Sequence, residues 1–226
     1  ARSEESGLAD GAAPCGLFGA IMAKISYPLR IATYNVWEAF DEFEDPVVDD
    51  DTSKSPESYE AAAAVIKSLQ ADVVALQEVE TTASLESLLA YHELGKEFPH
   101  RVLLSGPDRR GMNVALLSRY PVRNQILHTD RVIGWRYGRP LSSRRGMLQA
   151  DLALPNNQTL RVYVNHLPSL RGRTRENEFQ QYLEASACHD IVAQQTRAYP
   201  VDYQVVLGDF NAREKSRTMS LLTEKR

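Results

Sequence analysis

This sequence predicts an α+β fold, a four-layer α/β/β/α sandwich in which two mixed sheets pack face to face between outer helices. Three observations point there. The 226 residues are 43% hydrophobic and 25% charged, the balance of one ordinary globular domain. Strand-like segments come in two kinds, some alternating apolar and polar residues and others apolar throughout, so some have one covered face and others two. Connections also come in two kinds: Pro155-Asn156-Asn157 makes a hairpin turn, whereas a helical stretch over residues 174–197 demands a crossover. Helices outside a pair of facing sheets accommodate both.

The elements follow in order. Residues 1–27 read as an N-terminal extension, ahead of a domain spanning 28–226. Residues 29–36 (LRIATYNV) alternate after Pro28 and form a first strand with one buried face. Residues 41–51 carry seven acidic side chains around Pro46 without any period, as a solvated loop does. A helix over 58–69 places Tyr59, Ala62, Ala63, Ile66 and Leu69 on one side, with Ser55 as its cap and Pro56 at its first position. Residues 71–79 (ADVVALQEV) form a strand buried on both faces that ends in Gln77 and Glu78. Next come a helix around 85–94, strands near 101–104, 113–118, 147–154 and 160–165, the long helix, a strand at 203–207 and a helix across 214–226.

Composition narrows the function. With a net charge of −4 the chain lacks a general basic field, so any attraction for nucleic acid must be local. The apolar stretch at residues 14–23 is far short of the ~20 residues that span a bilayer, and no basic segment precedes it. Neither a membrane anchor nor an intact signal peptide is legible, which leaves cytoplasm and secretion both open. Cys15 and Cys188 are the only cysteines; they read as two free thiols, with a single disulfide as the alternative, and lack metal-site spacing. Cys188-His189 is no nucleophile pair, because neighbours on a helix point about 100° apart.

The chemistry gathers at strand ends. Asn35, Glu78, His166, Asp209 and Asn211 each follow an apolar strand that has no packing reason to hold them. Singly, each has a bland reading as a turn cap or solvated residue. Together, two carboxylates, two carboxamides and an imidazole form an oxygen-rich set suited to Mg²⁺ or Mn²⁺. The segments TYNVW, ALQEV, GMNVALLSRYPV, VNHLPS and GDFNA stand in the order in which the endonuclease/exonuclease/phosphatase superfamily carries its motifs. The chain therefore resembles that superfamily, whose fold is that of deoxyribonuclease I. The resemblance implies a metal-dependent phosphoester hydrolase that uses activated water, with Asn35, Glu78, Asp209 and Asn211 around the metal. It implies His166, Asp209 and Asn211 as catalytic residues and Arg145 and Asn113 as substrate contacts. A solvated surface arginine is the competing reading of Arg145, as it is of Arg171, Arg173 and Arg175.

The resemblance also has gaps. The superfamily supplies a further Asp-His pair near its C-terminus, and none follows Ala212 here, so the domain is expected to lack its C-terminal strands. Trp37 and Glu80 stand where deoxyribonuclease I has arginines, which weakens a claim on duplex DNA. The expected substrate is a phosphodiester, nucleic acid included, acted on by a monomer. The alternatives are an inactive relative that binds phosphorylated ligands, and a phosphomonoesterase or lipid phosphodiesterase on the same scaffold.

Overall fold

In the computed structural model the described residues are 28–40, 53–170 and 174–223. The N-terminal extension, the acidic loop, Cys15, Arg171 and Arg173 lie outside them. The first sheet places β1 (Ile31–Ala39) parallel to β2 (Val73–Val79), with β4 (Asn113–Ser118) antiparallel between β2 and β3 (His100–Leu103). In the second sheet β10 (Tyr203–Asp209) is parallel to β9 (Thr159–His166), and β8 (Met147–Ala153) and β5 (Val122–His128) continue it antiparallel. A separate hairpin joins β6 (Val132–Arg136) to β7 (Arg139–Ser142).

Packing follows the strand periods. Val73, Ala75, Val114 and Leu116 of the first sheet meet Leu148, Ala150, Leu152, Val162 and Val164 of the second in the central core. The alternate residues Val74, Leu76, Ala115 and Leu117 face outward, beneath α1 (Pro56–Leu69), α2 (Thr82–Leu89) and the short α3 (Leu94–Glu97). That two-sided burial is why β2 reads as a continuous apolar run. Over the second sheet lie α4 (Arg175–Ala198) and α5 (Arg217–Thr223), whose cluster includes Met147, Tyr163, Cys188 and Ile191. The four layers are those expected, and α4 is the crossover between the parallel β9 and β10.

Some expectations needed adjustment. The helix around 85–94 is two helices, because His92 and Glu93 take left-handed φ of 53° and 59° and interrupt the ladder. The final helix starts at Arg217 rather than 214, with Ser216 Oγ accepting from Met219 N at 3.2 Å. Three strands went unforeseen. β5 is largely exposed and polar, and β6 and β7 carry Gly134 and Pro140, so none shows a clean alternation.

Candidate active site

The ends of β1, β2, β9 and β10 converge where the two sheets meet. Asn35 links them, its Nδ2 donating to Glu78 Oε1 at 2.9 Å and to Asp209 Oδ2 at 3.1 Å. Its Oδ1 accepts from Trp37 N at 2.9 Å. One carboxamide thus holds a carboxylate from each sheet.

Glu78 owes its direction to a break in the ladders. On β1, Asn35 opposes Gln77 and Ala39 opposes Val79, while on β4, Val114 opposes Gln77 and Asn113 opposes Val79. Glu78 is therefore unpaired on both sides and turns out of the sheet with φ 65°. Its Oε2 accepts from Glu38 N at 3.0 Å, a bond made possible by φ of 56° and 48° at Trp37 and Glu38. Asn211, with φ 48°, donates its backbone N–H to Asp209 Oδ1 at 2.9 Å and its side-chain amide to Leu167 O at 3.0 Å. Non-glycine residues in the left-handed region cost on the order of 1 kcal/mol each and persist where surrounding contacts over-determine them. Gly208 precedes Asp209 with φ 143°, and a Cβ there would lie 1.9 Å from Asn165 O, so only glycine lets β10 approach β9 this closely.

His166 is 3% exposed, with Nε2 lying 3.6 Å from Glu78 Oε1 and 4.0 Å from Asp209 Oδ2. Burial first, then the charge of Arg145, pushes its pKa down to about 4, against the opposing pull of Glu78 and Asp209. The ring is neutral at pH 7, so these approaches are contacts of a neutral imidazole. Its Nδ1 is buried without a hydrogen-bond partner among the described residues.

The two expected substrate contacts sit differently. Arg145 is 6% exposed, so the solvated reading does not hold. Its Nη1 donates to His166 O and Leu167 O, both at 3.4 Å, and its Nε lies 3.1 Å from Asp108 Oδ2, outside hydrogen-bond alignment. Burial disfavours its charge, and the neighbouring Asp108, Glu184 and Glu78 favour it. Asn113 donates to Glu80 O at 2.6 Å and accepts from Gly106 N at 2.7 Å, so it ties the loop before β4 to the end of β2. Asp108, Lys54 and the Glu38 N–H escaped the sequence reading. Asp108 sits in a Gly-Pro-Asp turn and reads as a turn former, and Lys54, which donates to Trp37 O at 2.6 Å, adjoins the acidic loop. Only tertiary contact reveals either. Cys188 donates to Asn165 Oδ1 at 2.8 Å and plays no part in the cluster.

The residues present fit a hard divalent ion. Glu78 and Asp209 turn oxygens toward one another across a single amide, with a neutral imidazole beside them and no cationic side chain bonded to either among the described residues. The described residues contain no cage of three or more His, Cys, Asp or Glu. Mg²⁺ requires none, since it takes one or two carboxylates and fills its remaining positions with water and substrate oxygens.

Residues 32–226 match the model of the endonuclease/exonuclease/phosphatase family. The chain belongs to that family. Solved structures agree on the fold. A β-hairpin deletion mutant of Staphylococcus aureus beta toxin superposes with TM-score 0.61 at 18% identity, over 86% of this chain and 71% of that one. The human Nocturnin catalytic domain gives 0.58 at 17%, over 85% and 68%. An endonuclease/exonuclease/phosphatase from Beutenbergia cavernae gives 0.57 at 21%, over 83% and 48%. No curated protein matches the sequence significantly. No helix among the described residues is long and apolar enough to cross a membrane.

Proposed function

We propose that this family member is a divalent-metal-dependent phosphodiesterase that uses water as its nucleophile. The observation that carries the reading is the pair of carboxylates, one from each sheet, held by Asn35 beside a buried neutral imidazole. Glu78, oriented by Asn35 and the Glu38 N–H, would hold the ion, with Asn35, Asp209 and Asn211 completing its surroundings. When bound, Mg²⁺ or Mn²⁺ would supply positive charge to a phosphate oxygen and favour displacement at phosphorus. Asp209 has one oxygen fixed by Asn211 N and the other by Asn35, and such a fixed carboxylate can orient a water for in-line attack. His166, neutral and capable of donating through one ring nitrogen, would bond a phosphate oxygen as its charge grows. The roles are positioning and charge neutralisation, as phosphoryl transfer requires. The Nocturnin domain, solved with a bound sulfate anion, is a relative in fold that accepts a tetrahedral oxyanion.

The test is turnover of bis(p-nitrophenyl) phosphate with Mg²⁺ or Mn²⁺. Glu78→Ala should lower the rate by about 10³-fold, the equivalent of several kcal/mol of lost charge stabilisation, while the melting temperature measured in EDTA stays nearly constant. Equal turnover in a chelator, or an unaffected variant, would overturn the reading. A folded wild-type chain that binds phosphate esters without turning them over would make it an inactive binder.

A further inference from the structure

The local basic region that a −4 chain would need for a polyanion exists. Residues 130–145 hold five arginines against one aspartate; Arg145 is buried against Asp108 and Arg136 pairs with Glu176, which leaves Arg131, Arg139 and Arg144 exposed. That segment is the β6–β7 hairpin together with its return to β8. It rises beside the candidate site, because the end of β8 into which it feeds pairs with the end of β9, with Leu148 opposite Val164. The hairpin is braced from below: Gly134 packs against Leu183 of α4, and Arg136 pairs with Glu176. Tyr137 and Gly138, with φ of 48° and 74°, make its tight turn.

On this braced support stand two aromatic rings that are largely exposed among the described residues. Trp135 is 65% exposed and Tyr137 is 88% exposed, with Arg139 and Pro140 also in solvent. Arg136 lies over the Tyr137 ring at 5.3 Å from its centroid. Planar rings interleaved with guanidinium groups match a chain of planar bases joined by phosphates, where stacking and charge both contribute and neither reads a base edge. A bilayer would want aliphatic depth, and the hairpin's only exposed aliphatic side chain of size is Val132. Bases inside a duplex are stacked on each other and unavailable to such rings.

We propose that the β6–β7 hairpin is a stacking platform for single-stranded nucleic acid, whose bases Trp135 and Tyr137 grip and whose phosphates Arg139 grips, with Arg136 holding the Tyr137 ring in place. This deepens the phosphodiesterase reading above and rests on it for the fate of the bound strand, whereas binding itself does not. The test is fluorescence anisotropy of a labelled oligothymidylate in EDTA, run beside turnover of bis(p-nitrophenyl) phosphate with Mg²⁺. Replacing both rings (W135A with Y137A) should weaken binding at least about tenfold and leave turnover of the small diester unchanged. The phenylalanine pair (W135F with Y137F) should retain most of the affinity, and Arg139→Ala should reduce the salt slope by about one. Undiminished binding in the alanine pair would overturn the proposal. So would ring-dependent binding to phosphatidylserine vesicles in place of the oligonucleotide. Ring-dependent binding by a chain that fails to cleave the small diester would leave the platform standing and remove the enzyme reading, and turnover without ring-dependent binding would do the reverse.

Discussion

Arg145 touches His166 through that residue's own carbonyl and faces Asp108, which is itself mostly buried. The family resemblance implies a substrate contact at this position, and its environment makes it a brace. The two roles separate experimentally. Removing the guanidinium takes the buried ion pair from Asp108, which keeps only the Arg110 N–H at 2.9 Å and the Arg110 guanidinium at 4.0 Å, so Arg145→Ala should destabilise the fold by about 3 kcal/mol in urea unfolding, whereas an arginine serving substrate alone would change KM and leave stability untouched. Cys188 gives a simpler residue-scale expectation. Burial pushes its thiol up to about 12, so it stays protonated at pH 8 to 9. Peptide mass mapping should find Cys188 alkylated by iodoacetamide only after denaturation, and modification of the native chain would show that α4 opens.

Among the elements, α1 follows its sequence signals except at Leu69, which was expected on the buried side and is 37% exposed at the helix end. Ser55 at extended φ/ψ caps it, Pro56 opens it, Glu57 stands at the positive end, and Tyr59, Ala62, Ala63 and Ile66 are buried. Ser55 Oγ accepts from Ser58 N at 3.3 Å, so Ser55→Ala should cost about 1 kcal/mol in thermal or urea unfolding with catalysis unchanged. α4 shows the opposite case. It buries Gln180, Gln181 and Glu184 along with Cys188 and Ile191, and its sequence carries little amphipathic pattern. Those polar groups are satisfied across the fold: Gln181 donates to Pro168 O and Asn211 O, and Glu184 accepts from Ser143, Arg144 and Gln180. A period-based reading finds the length of α4 from its lack of breakers and misses which side is buried.

For the whole molecule, the candidate metal site joins two sheets that otherwise meet through apolar side chains. An ion there binds the folded chain and not the unfolded one, so it should raise stability by about 2.7 kcal/mol at a hundred times its Kd. Calorimetry should show a melting temperature that rises with Mg²⁺, falls in EDTA, and ceases to respond in Glu78→Ala; a wild-type chain indifferent to Mg²⁺ would remove the ion from this site. The sequence by itself determined the layers, the strands with clear period and the crossover helix, and it singled out Asn35, Glu78, His166, Asp209 and Asn211 as candidates, because burial writes itself into period and a polar residue closing an apolar strand stands out. It could not give the β6–β7 hairpin, whose Gly134 and Pro140 spoil the alternation of two short strands, nor the break that turns Glu78 outward or the burial of Arg145 on Asp108, since those two depend on partners 30 or more residues away. Only the tertiary structure brings Glu78 and Asp209, 131 positions apart, onto one amide of Asn35, because parallel strands from two sheets must first be packed before their ends can meet.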